Sequence, residues 1–167
     1  MKTNTKKIAF LGLLASLALV LSYIELLIPP IYAAVPGIKM GLPNIVIIFA
    51  LYRYGVKEAI TVSFVRLVCV ALLFGTFMSF AYSLAGAFLS LLVMIILKRI
   101  DLFSSYAVSI IGAICHNAGQ IIVAIFLLGR AEIGYYMFVL TFTGAIAGLL
   151  IGLASGYLIK ALKKFKI

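Results

Sequence analysis

The sequence predicts an all-α integral membrane protein, a single domain of six transmembrane helices in one compact bundle spanning residues 1–167. Three observations carry this. Hydrophobic residues make up 66% of the chain and charged residues only 11%, with a mean hydropathy of +1.30, whereas roughly a quarter of a soluble domain is charged. The apolar residues fall into six runs, most of them near the ~20 residues that a membrane-spanning helix needs. The 14 Lys and Arg residues lie between or at the ends of these runs, except Arg66. The net charge of +10 therefore reads as membrane orientation. No basic surface interleaved with aromatics points to nucleic acid.

The first run covers about 8–28, after Lys2, Lys6 and Lys7, and stops at Pro29-Pro30. Its ~21 residues exceed the roughly 7–15 of a signal-peptide core, so it is expected to be a retained span. A Pro- and Gly-rich connection, Pro36-Gly37-Ile38-Lys39-Met40-Gly41-Leu42, leads to the second run at 43–54. Twelve residues give about 18 Å of helix, against a hydrocarbon core of about 30 Å. Either the connection dips into the membrane beside a cavity, or an outer loop leads into a tilted helix. A short run interrupted by Gly and Pro is a pointer to a transporter binding site. The remaining runs are 58–74, 77–97, 104–128 and 135–160.

Six spans put both termini on one side. With the termini in the cytoplasm, Lys2, Lys6, Lys7, Arg53, Lys57, Lys98, Arg99, Lys160, Lys163, Lys164 and Lys166 all lie inside, and only Lys39 and Arg130 lie outside. That distribution is a positive-inside signal. The expected setting is a multi-pass protein of a cell membrane, the cytoplasmic membrane of a bacterium.

Small residues mark where helices approach. Gly144, Gly148, Gly152 and Gly156 recur every four residues in the last run, a ridge that lets two backbones come close. The first run carries Gly12-xxx-Ser16 and Ala18-xxx-Ser22, a surface for packing within the bundle or for docking a partner membrane protein. In the fourth run, Ser79, Tyr82, Ser83, Gly86 and Ser90 share one helix face.

Against this background, polar groups inside the runs stand out, because lipid offers them no hydrogen bonds. The fifth run holds Cys115-His116-Asn117-Ala118-Gly119-Gln120, with the single histidine of the chain. His116 and Gln120 share a face, and Asn117 lies about 100° away. Three adjoining polar groups exceed what one interhelical bond requires, so the cluster is a candidate for orienting a ligand; a histidine bonded to a neighbouring helix is the structural alternative. Arg66 sits in the middle of the third run, where burial costs about 2.5–3.5 kcal/mol. It either pairs with Glu25, the one acid expected inside the membrane but near the outer end of its helix, or faces a cavity and grips an anionic group with two parallel bonds. Lys39 and Asn44 flank the start of the second helix, where free N–H groups and positive potential would favour a carboxylate or phosphate.

Several chemistries are excluded. There is no phosphate-binding G-x-x-x-x-G-K-[ST] loop, so the chain cannot drive transport with its own ATPase. Cys69 and Cys115 lack metal-ligand spacing. Asp101 is the only aspartate, which rules out an aspartate-rich, magnesium-binding prenyl transferase site. No catalytic residue, metal or cofactor is expected, and the chain is not read as an enzyme.

The stretches Pro36 to Asn44, Tyr82-Ser83-Leu84-Ala85-Gly86 and His116-Asn117-Ala118-Gly119-Gln120, with Arg66 between them, resemble the Gx transporter family, whose members are also called heptaprenyl diphosphate synthase component I. The resemblance covers about residues 8–160, with Pro43 where a small residue is expected. The family is similar in size and layout to the substrate-binding S components of energy-coupling factor (ECF) transporters. That resemblance implies capture of a small, anionic, vitamin-like or isoprenoid-precursor molecule from outside. A separate transmembrane coupling subunit and ATPase subunits would move it inward. The site residues would be Lys39, Asn44, Arg66, Tyr82, Ser83, His116, Asn117 and Gln120, with Gly12, Ser16, Ala18 and Ser22 available for docking. The family's other name implies instead a non-catalytic subunit that presents isoprenoid substrate to a polyprenyl synthase.

Overall fold

The computed structural model describes residues 5–28 and 41–162. The run Pro36–Met40, and with it Lys39, lies outside the described residues, as do Pro29-Pro30 and the last lysines. The described chain is all helical: α1 Thr5–Leu27, α2 Asn44–Arg53, α3 Val56–Phe74, α4 Phe77–Ile100, α5 Ser105–Leu128, a 3-10 turn at Ala131–Tyr135, and α6 Tyr136–Ala161. Each apolar run of the sequence becomes one helix. The 3-10 turn before α6 was not anticipated.

The boundaries have local causes. Thr76 and Ser104 cap α4 and α5, their hydroxyls accepting from the amides of Ser79 (3.2 Å) and Ala107 (3.3 Å), bonds that satisfy N–H groups with no partner inside the helix. Gly129 ends α5 in the left-handed region at φ 64°, which glycine adopts without a Cβ clash. Gly55, at φ 119°, makes the tight turn between α2 and α3.

Helix α2 is the pivot of the bundle. It is only 10 residues long, about 15 Å, and Val46, Ile47, Ile48, Phe49, Ala50 and Leu51 are all buried. A helix that is apolar on every side has neighbours on every side; α2 packs on α1, α3 and α6. The other major contacts are α4 on α5, α5 on α6, and α1 on α3. The glycine ridge of α6 lies on α5. Ser109 Oγ donates to the Gly148 carbonyl at 2.6 Å, and a β-carbon at Gly148 would stand 2.7 Å from Ile110 Cα.

Basic residues gather at one end of the bundle. Lys7 on α1 pairs with Glu58 on α3. Lys98 of α4 donates to the Leu51 carbonyl at the end of α2 and sits over the Tyr52 ring at 5.2 Å. A cation over the last carbonyls of a helix complements its dipole. Among the described residues, four helical stretches are long and apolar enough to cross a membrane: Thr5–Leu27, Phe77–Ile100, Ser105–Leu128 and Ala131–Ala161. Helix α3 has 19 residues but carries Lys57, Glu58 and Arg66, and α2 is short.

Candidate functional site

The core is divided into two apolar clusters. One joins Leu14 and Ala18, the body of α2, Ala59 and Val62, Leu91 and Met94, Val108 and Ile151. The other, towards the opposite end, joins Tyr82, Ile121, Ala124, Ile133 and Leu140. Between them every helix contributes polar or backbone-exposing residues: Ser22 and Glu25 on α1, Asn44 on α2, Ser63 and Arg66 on α3, Ser83 and Gly86 on α4, His116, Asn117 and Gln120 on α5, and Gly144 on α6. All of these side chains are buried; Gln120 is 0% and Arg66 5% exposed.

The contacts in this layer run from helix to helix. Arg66 Nη1 approaches Ser22 Oγ at 3.4 Å. Glu25 lies one turn beyond Ser22, and its carboxylate accepts from the backbone amides of Gly41 and, at 3.2 Å, Leu42. Those amides open the turn into α2, where the Asn44 amide closes back on the Gly41 carbonyl at 2.9 Å. A β-carbon at Gly41 would lie 3.8 Å from His116 Cδ2, so the turn sits against the histidine. On the other side of the ring, a β-carbon at Gly86 would stand 2.9 Å from His116 Cε1. His116 is therefore held between α4 and the turn into α2, in space that Gly86 leaves open.

The predicted residues do not all play one part. Asn44, Arg66, Ser83, His116 and Gln120 come into the layer together. Asn117 turns away from His116 and donates to the Leu140 carbonyl at 2.9 Å, an α5–α6 bond that uses one side of its amide. Tyr82 is buried in the second apolar cluster. Lys39 lies outside the described residues. Glu25 and Arg66 are near enough to act on each other electrostatically, but the direct contact of Arg66 on α1 is Ser22, and the Glu25 carboxylate grips backbone amides.

The small residues of α1 divide between its two faces. Gly12 and Ser16 are exposed, and a β-carbon on Gly12 would meet nothing within 4 Å. Ala18 and Ser22 are buried in the core, where they pack within the bundle. Helical geometry accounts for the split: six residues separate Gly12 from Ala18, which puts them about 120° apart around the helix.

Two features escaped the sequence reading. One is the grip of Glu25 on the turn into α2, which no local signal announces. The other is an open cleft of about 1120 Å³ beside the 3-10 turn, lined by Leu128, Arg130, Glu132, Tyr135 and Tyr136 among others. Its hint in the sequence was the aromatic pair following Gly129-Arg130. Among the described residues, no three His, Cys, Asp or Glu side chains gather as metal ligands would.

A family model described as heptaprenyl diphosphate synthase component I matches residues 14–158. The chain belongs to this family. The match spans α1 to α6 and so takes in the whole polar layer of this component I protein. Comparison with curated proteins and with solved structures gives no match.

Proposed function

We propose that this component I protein is the membrane-embedded substrate-binding component of an ECF-type uptake transporter. Its six helices cross the membrane with both termini in the cytoplasm, and it binds a small molecule without transforming it. The observation that supports this most is the buried polar layer. A stretch of Ser, Asn, Gln, His, Glu and Arg side chains between two apolar clusters is costly in a bilayer, and such groups mark substrate pathways and sites. The short helix α2, with a turn rather than a helix at the level of the layer, is the kind of interrupted element on which transporter sites are built. Energy would come from ATPase subunits through a separate coupling subunit, since the sequence has no ATP-binding loop of its own. With a single aspartate, Asp101, the chain itself would not carry out prenyl transfer.

The family's printed name favours a second reading: a non-catalytic membrane subunit that presents isoprenoid substrate to a polyprenyl synthase. Purification of the tagged chain from its native membrane in mild detergent separates the two. Co-purification of a coupling protein with ATPases is the expected result. Recovery of a prenyl synthase without any ATPase would overturn the transport reading in favour of the second.

A further inference from the structure

Arg66 carries an unused recognition edge. Its side chain is 5% exposed, and its hydrogen bond from Nη1 to Ser22 Oγ is long at 3.4 Å. Nε and Nη2 are buried with no hydrogen-bond partner among the described residues. These two atoms are not scattered. In a guanidinium, the Nε–H bond and one Nη2–H bond point the same way, forming the side edge that takes a carboxylate or phosphate through two parallel bonds. The carboxylate nearest to hand does not fill it, because Glu25 is held by the amides of Gly41 and Leu42.

We propose that the Nε/Nη2 edge of Arg66 is the anchor for the ligand's anionic group, and that this group is a carboxylate. The inference rests on the reading of the polar layer as a ligand site and adds the chemistry of what enters it. Buried guanidinium donors find partners, because nothing in lipid replaces their hydration. Here the edge left without a partner among the described residues matches a planar, two-oxygen acceptor. Charge selects among such acceptors. The Glu25 carboxylate stands one turn beyond Ser22, which Arg66 touches, so a singly charged group is accommodated better than a phosphate with nearly two charges. Ser63, buried one turn before Arg66 on α3, offers a hydroxyl beside the same position.

The test uses the full chain in lipid nanodiscs, labelled with ¹⁵N-arginine. The Nε–H signal of Arg66 is assigned by its loss in Arg66→Gln. Sodium acetate is titrated in one series and inorganic phosphate in another, with sodium chloride at matched ionic strength as control. The expected result is a saturable shift of the Arg66 signal with acetate and none with chloride. In Arg66→Lys, which keeps the charge but loses the two-pronged edge, acetate should stabilise the protein against heat at least about tenfold less effectively by midpoint concentration. A saturable response to phosphate with none to acetate would overturn the carboxylate assignment. Indifference to both would overturn the anchor itself. These outcomes are independent of which subunits co-purify, so failure of the transport reading and failure of the anion site remain distinguishable.

Discussion

Replacing Gly119 by alanine tests a close helix contact, that of α5 on α4. Its added β-carbon would stand 2.6 Å from the Ala85 carbonyl oxygen, 2.8 Å from that carbonyl carbon and 3.0 Å from Gly86 Cα. All three are backbone atoms of α4, so no side chain can rotate out of the way. To reach an ordinary contact near 3.4 Å, the two helices must part locally by about 0.8 Å. Overpacking of this kind costs about 1–3 kcal/mol, and the better helix propensity of alanine returns about 1 kcal/mol. The expected net loss is therefore about 0–2 kcal/mol. Two controls bracket it. Gly12→Ala meets nothing within 4 Å and should be neutral or slightly stabilising. Gly112→Ala collides only with the flexible end of Met94 and should fall between. Stability is read by titrating SDS into mixed micelles, with thermal unfolding followed through a thiol-reactive dye on Cys69 and Cys115, both partly buried. If Gly119→Ala proves as stable as Gly12→Ala, α4 and α5 do not meet backbone to backbone, and the cradle around His116 is wrong.

Three further outcomes follow from the same contacts. Asn117→Ala removes the bond to the Leu140 carbonyl and should cost about 0.6–1.7 kcal/mol, the range of interhelical bonds in membranes; an unchanged SDS midpoint would contradict that contact. Glu25→Ala leaves the Gly41 and Leu42 amides without their acceptor and should cost about 2 kcal/mol, with faster hydrogen exchange at those two amides, whereas Glu25→Gln keeps an acceptor oxygen and should lose less. Equal exchange in Glu25→Ala and wild type would refute the grip. Lys98→Met removes both the donor to Leu51 and the cation over Tyr52 and should cost about 0.5–1 kcal/mol; a loss that disappears in high salt would mean that only surface charge was involved.

Much of the fold could be read from local pattern. Apolar runs bounded by Pro, Gly, Ser and charge became helices within a few residues of their expected ends, as at Ser104–Leu128 and Phe77. The polar island at His116, Asn117 and Gln120 could also be seen, because a polar residue inside an apolar run needs no third dimension to be noticed. The small-residue ridge of α6 indicated close packing but not its partner, which is α5.

What the sequence by itself determined is the helical, apolar class of the molecule, the apolar runs that become its described α-helices and the residues too polar for lipid, since each depends on composition and near-neighbour spacing. Tertiary structure alone decided which way those residues turn. It put Ser22 inward beside Arg66 while Gly12 and Ser16 face out. It set His116 against the turn into α2, and Asn117, about 100° round the same helix, against α6. It also set the Glu25 carboxylate on the backbone amides of Gly41 and Leu42 and left Nε and Nη2 of Arg66 without a partner among the described residues. The physical reason is that a buried polar group is satisfied by whichever neighbour packing brings within 3 Å or so. Those neighbours come from α1, α3 and α6, tens of residues away along the chain.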